Sequence, residues 1–312
     1  MRRFAWLDRV IGAALALTVL AFVPADGVRA ATAEPAQTTF SSPDEAVAAM
    51  VAALRDGQPK ALTKIVGPSS GDWLLSGDEV ADRTAAERFV AAYDARHRIR
   101  NEGASRAVLT VGLDDWPMPV PLVRTGTRWS FDAAAGREEV LARRIGRNEL
   151  ATIEVLKAMV DAQVEYARTE GAASGQLAYA QKFASSPGKK DGLYWAVKDG
   201  ERTSPLGPLV AQAATEGYTT ANLTPYHGYL FRILAGQGSH APGGSFDYVV
   251  KGRMIGGFAI VAYPANYGVS GVMTFLISHD GVVHQKDLGP ATGQLAAKMA
   301  RFDPGPGWQK SP

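Results

Sequence analysis

Apolar positions recur at helical spacing through the first half of the chain and switch to strand spacing in its last third. Val47, Met50, Val51 and Leu54 fall at i, i+3, i+4 and i+7, one face of a helix. Ser42-Pro43-Asp44-Glu45 supplies its start: Ser42 caps, Pro43 suits the first turn, Glu45 completes a capping box, and Gly57 is the stop. A second box, Thr84-Ala85-Ala86-Glu87, predicts a helix with Phe89 and Tyr93 on one face. Strand-like runs follow at 107–111, 120–124 and 129–131, the last two joined by a turn at Gly126.

From 137 to 168 the pattern is helical for nearly nine turns, with Gly146 as the expected bend. Ile153, Leu156, Val160 and Val164 form its apolar stripe, which needs a surface to cover it. A short helix at 209–216 stops at Gly217. Strands are then predicted at 226–234, 246–250, 258–263, 272–278 and 282–286, with a hairpin turn at His279-Asp280-Gly281. A closing helix at 295–302 precedes a Pro/Gly-rich tail, 303–312. The fold class is α+β: a small helix-and-sheet domain at 40–136, similar in element order to the nuclear-transport-factor-like cone, then a long helix packed on an antiparallel sheet at 137–302.

The first thirty residues read as a secretory signal. Arg2 and Arg3 form a positive n-region, 10–23 is a nearly unbroken apolar run, and small residues follow at Ala30 and Ala33. The run is shorter than the ~20 residues of a membrane span. Cleavage leaves a mature chain beginning at Ala31 or Glu34, a tether over 31–39, and no stable membrane span. The expected location is periplasmic or secreted.

That segment changes the charge picture. The whole chain has 33 basic and 31 acidic side chains and a formal charge of +2. Residues 1–30 hold four of the arginines and two of the aspartates, so the remainder balances at 29 of each. A neutral chain gives no electrostatic footprint for nucleic acid. With no cysteine among its 312 residues, thiolate metal sites, a cysteine nucleophile and a disulfide framework are excluded.

Candidate chemistry is sparse. His227, His240, His279 and His284 lack metal-ligand spacing, so neither a metal nor a cofactor is expected. Ser186-Pro187-Gly188-Lys189 has the S-x-x-K spacing, but Pro187-Gly188 opposes the helix that chemistry requires. Asp114 and Asp115, beside Trp116, are adjacent on an extended chain and so point apart; a solvated turn explains them better than a glycosidase pair. Arg143, Arg144 and Arg147 lie on adjacent turns of the long helix, able to bind an acidic partner or to pair with Glu139. Trp195, Tyr226, Tyr229 and Tyr267, with Tyr263 and beside His227, form the densest aromatic group and would line a groove or pack a sheet.

Several stretches together carry a resemblance. They include Gly71-Asp72-Trp73-Leu74-Leu75-Ser76-Gly77-Asp78, Arg143-Arg144-Ile145-Gly146-Arg147-Asn148-Glu149, Asp191-Gly192-Leu193-Tyr194-Trp195, Tyr226-His227-Gly228-Tyr229 and Tyr267-Gly268-Val269-Ser270-Gly271. The chain resembles the exported bacterial family called domain of unknown function 2950, which implies export and leaves the activity open. The helix holding Asn148-Glu149, followed by Gly228-Tyr229-Leu230-Phe231 and Ala262-Tyr263-Pro264, is similar to soluble domains of type IV pilin-like proteins. Met1 to Val10 lacks the pilin processing site, so the resemblance implies a helix-on-sheet fold and not a pilus subunit.

The expectation from sequence is an exported, non-enzymatic binding or structural module of the cell envelope. Its partner would be an envelope protein or a small ligand, met through Arg143, Arg144, Arg147, Trp195, Tyr226, His227, Tyr229 and Tyr267. The alternatives are a periplasmic hydrolase and a small-ligand binder with a pocket in the N-terminal domain.

Overall fold

Helix α1 (Pro43–Arg55) starts where its capping residues place it: Ser42 is extended and its Oγ accepts from Glu45 N. Glu45 reaches back one residue further than a capping box does, to Ser41 N at 2.8 Å. The computed structural model describes residues 36–218 and 225–311, so the expected signal and most of the tether lie outside the described residues. Three helices follow, α2 (Pro59–Val66), the single turn α3 (Gly71–Leu74) and α4 (Glu79–Ala95). Helix α4 begins five residues ahead of the expected box at Thr84. The reason is Asp78, whose side chain accepts from Ala81 N at 3.0 Å and caps the helix first.

The N-terminal sheet is antiparallel, ordered β1 (His97–Asn101), β2 (Arg106–Val111), β4 (Leu122–Thr125), β5 (Arg128–Phe131), with β3 (Trp116–Pro117) also on β2. Strand β1 has one apolar residue, Ile99, in five, so it shows no alternation to read; its ladder with β2, His97 against Val111, defines it instead. Helices and sheet close over one core in which Met50, Trp73, Leu109, Leu122 and Phe131 are almost fully buried.

Helix α5 (Ala133–Arg168) runs 36 residues, roughly 54 Å at the α-helical rise. It begins four residues earlier than the periodicity indicates, because Asp132 accepts from Ala135 N at 3.0 Å. After it come α6 (Gly207–Thr215) and a sheet ordered β15 (Gln309–Lys310), β13 (His284–Asp287), β12 (Met273–Ser278), β11 (Ala259–Pro264), β6 (Tyr229–Leu234), antiparallel throughout. Strand β15 lies in the stretch read as a tail, added by its ladder to β13. A smaller sheet joins β7 (Gly236–Gln237), β8 (Phe246–Asp247) and β14 (Arg301–Phe302), and β9 (Val249–Val250) pairs with β10 (Arg253–Met254). Helix α7 (Thr292–Lys298) starts and stops before the predicted 295–302, because Arg301 and Phe302 pair in parallel with β7.

The long helix and the sheet share a core. Ile153, Val155, Leu156, Met159, Ala162 and Tyr166 of α5 pack with Ile260 and Ala262 of β11 and Phe275 and Ile277 of β12. Val160 and Val164, expected in this stripe, are only partly buried, since the covered face is centred on Leu156 and Met159. Alternate residues of the same strands, Ala259, Val261 and Leu276, enter a second core on the opposite face with Tyr248, Phe258, Ala296 and Phe302. Both faces of the central strands are therefore dry, which is why β11 reads as a continuous apolar run. No described helix is long and apolar enough to cross a membrane.

Candidate functional site

Most of the stretches that carry the family resemblance converge on one stretch of α5. Arg144 donates from both terminal nitrogens to the carbonyls of Trp73 and Leu74, each at 2.7 Å. Asn148 donates to Ser270 O at 2.8 Å, and Glu149 Oε1 accepts from Val272 N and Met273 N at 3.0 and 2.9 Å. One turn and a half of helix thus pins one segment 70 and 71 residues back in sequence and another 122 to 124 residues ahead. Tyr229 lies fully buried against this point, donating to Met273 O at 2.9 Å. A Cβ on Gly271 would sit 2.1 Å from the Tyr229 hydroxyl, so only glycine allows that approach.

Asp78 closes the other side. It is 2% exposed, and while one oxygen caps α4 the other accepts from the Tyr218 hydroxyl at 2.7 Å and from Gly228 N at 3.0 Å. Tyr218 meets Tyr226 edge-on at 4.9 Å, Tyr226 lies 4.2 Å from the His227 ring, and His227 Nε2 is 3.4 Å from Glu216 Oε2. Burial, and then the Asp78 carboxylate, push the Tyr218 hydroxyl well above its ordinary value; burial and Glu216 do the same to Tyr226. Neither phenol ionises near neutrality, and the three donors on Asp78 occupy it. This is a structural junction, with His227 and Glu216 at its partly exposed rim.

Burial also pulls His227 below the ordinary imidazole value of 6.5, against the opposing pull of Glu216 and Asp78. Since the unfolded chain binds this proton more tightly than the folded one, the site's contribution to stability is present above pH 6.5 and is lost as pH falls through the lower folded value. The urea midpoint should therefore drop between about pH 7.5 and 5.5, and drop less in His227→Asn, a residue that tolerates the positive φ of 48° at this position. Identical slopes in the two proteins would remove His227 from the account.

The three arginines separate. Arg143 pairs with Glu139 at 2.5 Å and lies 4.8 Å over the Trp116 ring, Arg144 is the half-buried clamp, and Arg147 is exposed. Arg144→Ala leaves two carbonyls without their charged donor and should lower stability by about 2–3 kcal/mol. Arg147→Ala should change it by less than ~1 kcal/mol. Chemical denaturation of both variants checks the contrast, and equal losses would refute it.

The aromatic group also divides. Tyr229 is core, Tyr226 belongs to the junction, and Tyr267 donates to Asp287 at 3.0 Å on another loop. Trp195 lines open space. Two adjoining concavities of 640 and 400 Å³ meet at Tyr194, Trp195, Ala196 and Val210, between the loop at 183–206 and α6. Phe183 and Leu206 extend the wall of the larger one, with Lys189, Lys190, Lys198 and Glu201 in its lining. Tyr218 lines the smaller, so the junction forms part of its wall. Lys190 Nζ stands 5.3 Å over the Trp195 ring, whose Nε1–H is buried with no acceptor among the described residues.

The remaining candidates have settled roles. Ser186 sits in a non-helical loop, and its lysine is Lys182, 2.9 Å away, not Lys189. Lys182 also pairs with Asp191 at 2.8 Å; those bonds, with Ser186 N, hold the Asp191 carboxyl well below the ordinary carboxylate range. Lys182 Nζ donates to Ser186 Oγ, and the Ser186 hydroxyl donates in turn to Asp191, so the trio staples the loop. Asp115 pairs with Arg96 at 2.9 Å in the turn before β3. His279 packs edge-on against Tyr248, and His284 against Phe302. Among the described residues no three His, Asp or Glu side chains are grouped to hold a metal. In the N-terminal part, Trp73 and Phe131 belong to the buried core.

Asp78, Tyr218 and Glu216 received no role from the sequence. Asp78 closes the Gly71-to-Asp78 stretch and was visible only as part of that resemblance. Phe183 and Val210 carried no signal beyond ordinary apolar character.

The fold and its junction define an α+β protein in which a long helix ties a helix-and-sheet layer to an antiparallel sheet. The chain belongs to the family described as Protein of unknown function (DUF2950), whose model matches residues 37–311. No curated protein and no solved structure matches the chain.

Proposed function

We propose that this is an exported protein of the bacterial cell envelope, periplasmic or secreted after removal of residues 1–30, that acts as a non-enzymatic binding module. The observation carrying the binding role is the aromatic-walled groove at Trp195, 640 Å³ in its larger part and within the size range of small-ligand sites. Around it, the groups with catalytic potential are engaged elsewhere: Asp78 by three donors, Ser186 and Lys182 by Asp191. The packing of α5 on its antiparallel sheet supports a scaffold role for that part of the chain. The Arg2-Arg3 start, the apolar run and the small residues at Ala30 and Ala33 support export.

The test is native mass spectrometry of the protein isolated from its own envelope fraction, with Trp195→Ala alongside. The parent should carry a bound mass that the variant loses, and both should begin at Ala31 or Glu34. The same bound species on both proteins would exclude the groove. An intact Met1 terminus in a soluble cytoplasmic pool would exclude export.

A further inference from the structure

We propose that the Trp195 groove takes an anionic amphiphile, an apolar tail ending in an anion, with Lys189, Lys190 and Lys198 holding the charged end. This rests on the binding reading above and names the chemistry of the ligand. The walls, Phe183, Tyr194, Trp195, Leu206 and Val210, offer apolar and aromatic surface and so favour a tail over a hydrated sugar or ion.

The charge at the rim gives the sign of the head. Three ammonium groups stand in the lining against one carboxylate, Glu201, and that carboxylate already accepts from Lys198 N at 3.3 Å. The neighbouring acids are engaged as well: Asp191 with Lys182 and Ser186, Glu170 at 3.8 Å from Lys190. Lys189 and Lys198 have no ion-pair partner among the described residues. A cationic ligand would meet net repulsion here, and a neutral one would leave the lysines unused.

Position matters as much as sign. Lys190 Nζ, 5.3 Å from the Trp195 ring centroid, puts positive charge at the boundary between apolar wall and solvent, where the head of an amphiphile lies when its tail is covered.

The experiment is a titration of the exported protein with decanoate and, separately, with 1-decanol, each below its solubility limit. The readout is the indole N–H resonance of Trp195, assigned by its loss in Trp195→Phe. Decanoate should shift it saturably, with 1-decanol binding about tenfold more weakly or worse, and added salt should weaken decanoate alone. The triple variant Lys189→Ala/Lys190→Ala/Lys198→Ala changes three exposed side chains and should melt like the parent. It should bind decanoate about tenfold more weakly and leave 1-decanol unchanged. Equal affinity for the two probes, or a triple variant that binds decanoate like the parent, would overturn the anion site while leaving the groove as a binding site. No shift with either probe would overturn the proposal outright. The binding reading is tested independently by the native-mass comparison, which uses whatever the envelope supplies.

Discussion

Leu156→Asp should lower the melting temperature by about 10 °C or more, the largest effect expected of any single substitution on α5. Leu156 is fully buried, in one core with Ile260 and Ala262 of β11 and with Phe275 and Ile277 of β12. Removing the isobutyl group forfeits about 2–5 kcal/mol by transfer and cavity formation. The carboxylate that replaces it must be desolvated in a site that is dry on the sheet side, or take up a proton, and either adds to the loss. A domain stabilised by about 5–15 kcal/mol overall loses a large share of its margin. Lys157→Ala is the control on the next residue: Lys157 is exposed and its pair with Glu154 is a surface one, so a change below ~0.5 kcal/mol is expected. Thermal unfolding of both decides the matter, and parent-like melting of Leu156→Asp would mean that this face of α5 is not a core.

Asp78→Ala should follow closely, at about 3–5 kcal/mol. Three donors lose their acceptor at once: Ala81 N, the Tyr218 hydroxyl and Gly228 N. A lost helix cap contributes about 1 kcal/mol, and each buried donor left without a partner about 1–3 kcal/mol, with the sum limited by relaxation around the smaller side chain. Tyr218→Phe removes one of those bonds and should lose about 1.5–3 kcal/mol, the value of a hydrogen bond to a charged group. Because both changes delete the same bond, the double variant should fall short of additivity by about 1 kcal/mol or more. Denaturant unfolding of the four proteins in this cycle gives the coupling directly. Strict additivity would show that Tyr218 and Asp78 do not act together and that the junction is not a unit.

Those two substitutions probe different kinds of information in the chain. Leu156 was legible: it lies in a run whose spacing marks one face of a helix, and a helix of that length must cover one face. The caps at Ser42 and the general positions of α1, α5, α6, β2, β11 and β12 were legible for the same reason, since they depend on residues a few positions apart. Strand β1, with one apolar residue in five, was not, because its structure comes from the ladder to β2. The early start of α4 was missed because two capping signals compete there, and Asp78 wins through partners 140 and 150 residues further on.

The candidate site shows the same division. The aromatic residues were found as a group by their density in sequence, yet the fold assigns them separately, Tyr229 to the core, Tyr226 to the junction, Tyr267 to a bond with Asp287 and Trp195 to the groove. Likewise Arg143, Arg144 and Arg147, neighbours on one helix, become a surface pair, a half-buried clamp and an exposed side chain. By itself the sequence determined the α+β class, the long helix and its apolar face, and the absence of cysteine chemistry, because periodicity, capping and composition act locally or not through geometry at all. The tertiary structure alone decided that Asp78 is a hub, that both faces of the central sheet are covered, and that Trp195 opens onto a lysine-rimmed groove. Each of these depends on groups far apart in sequence being brought within about 3–5 Å, where hydrogen bonds and close packing operate and where spacing along the chain carries no information.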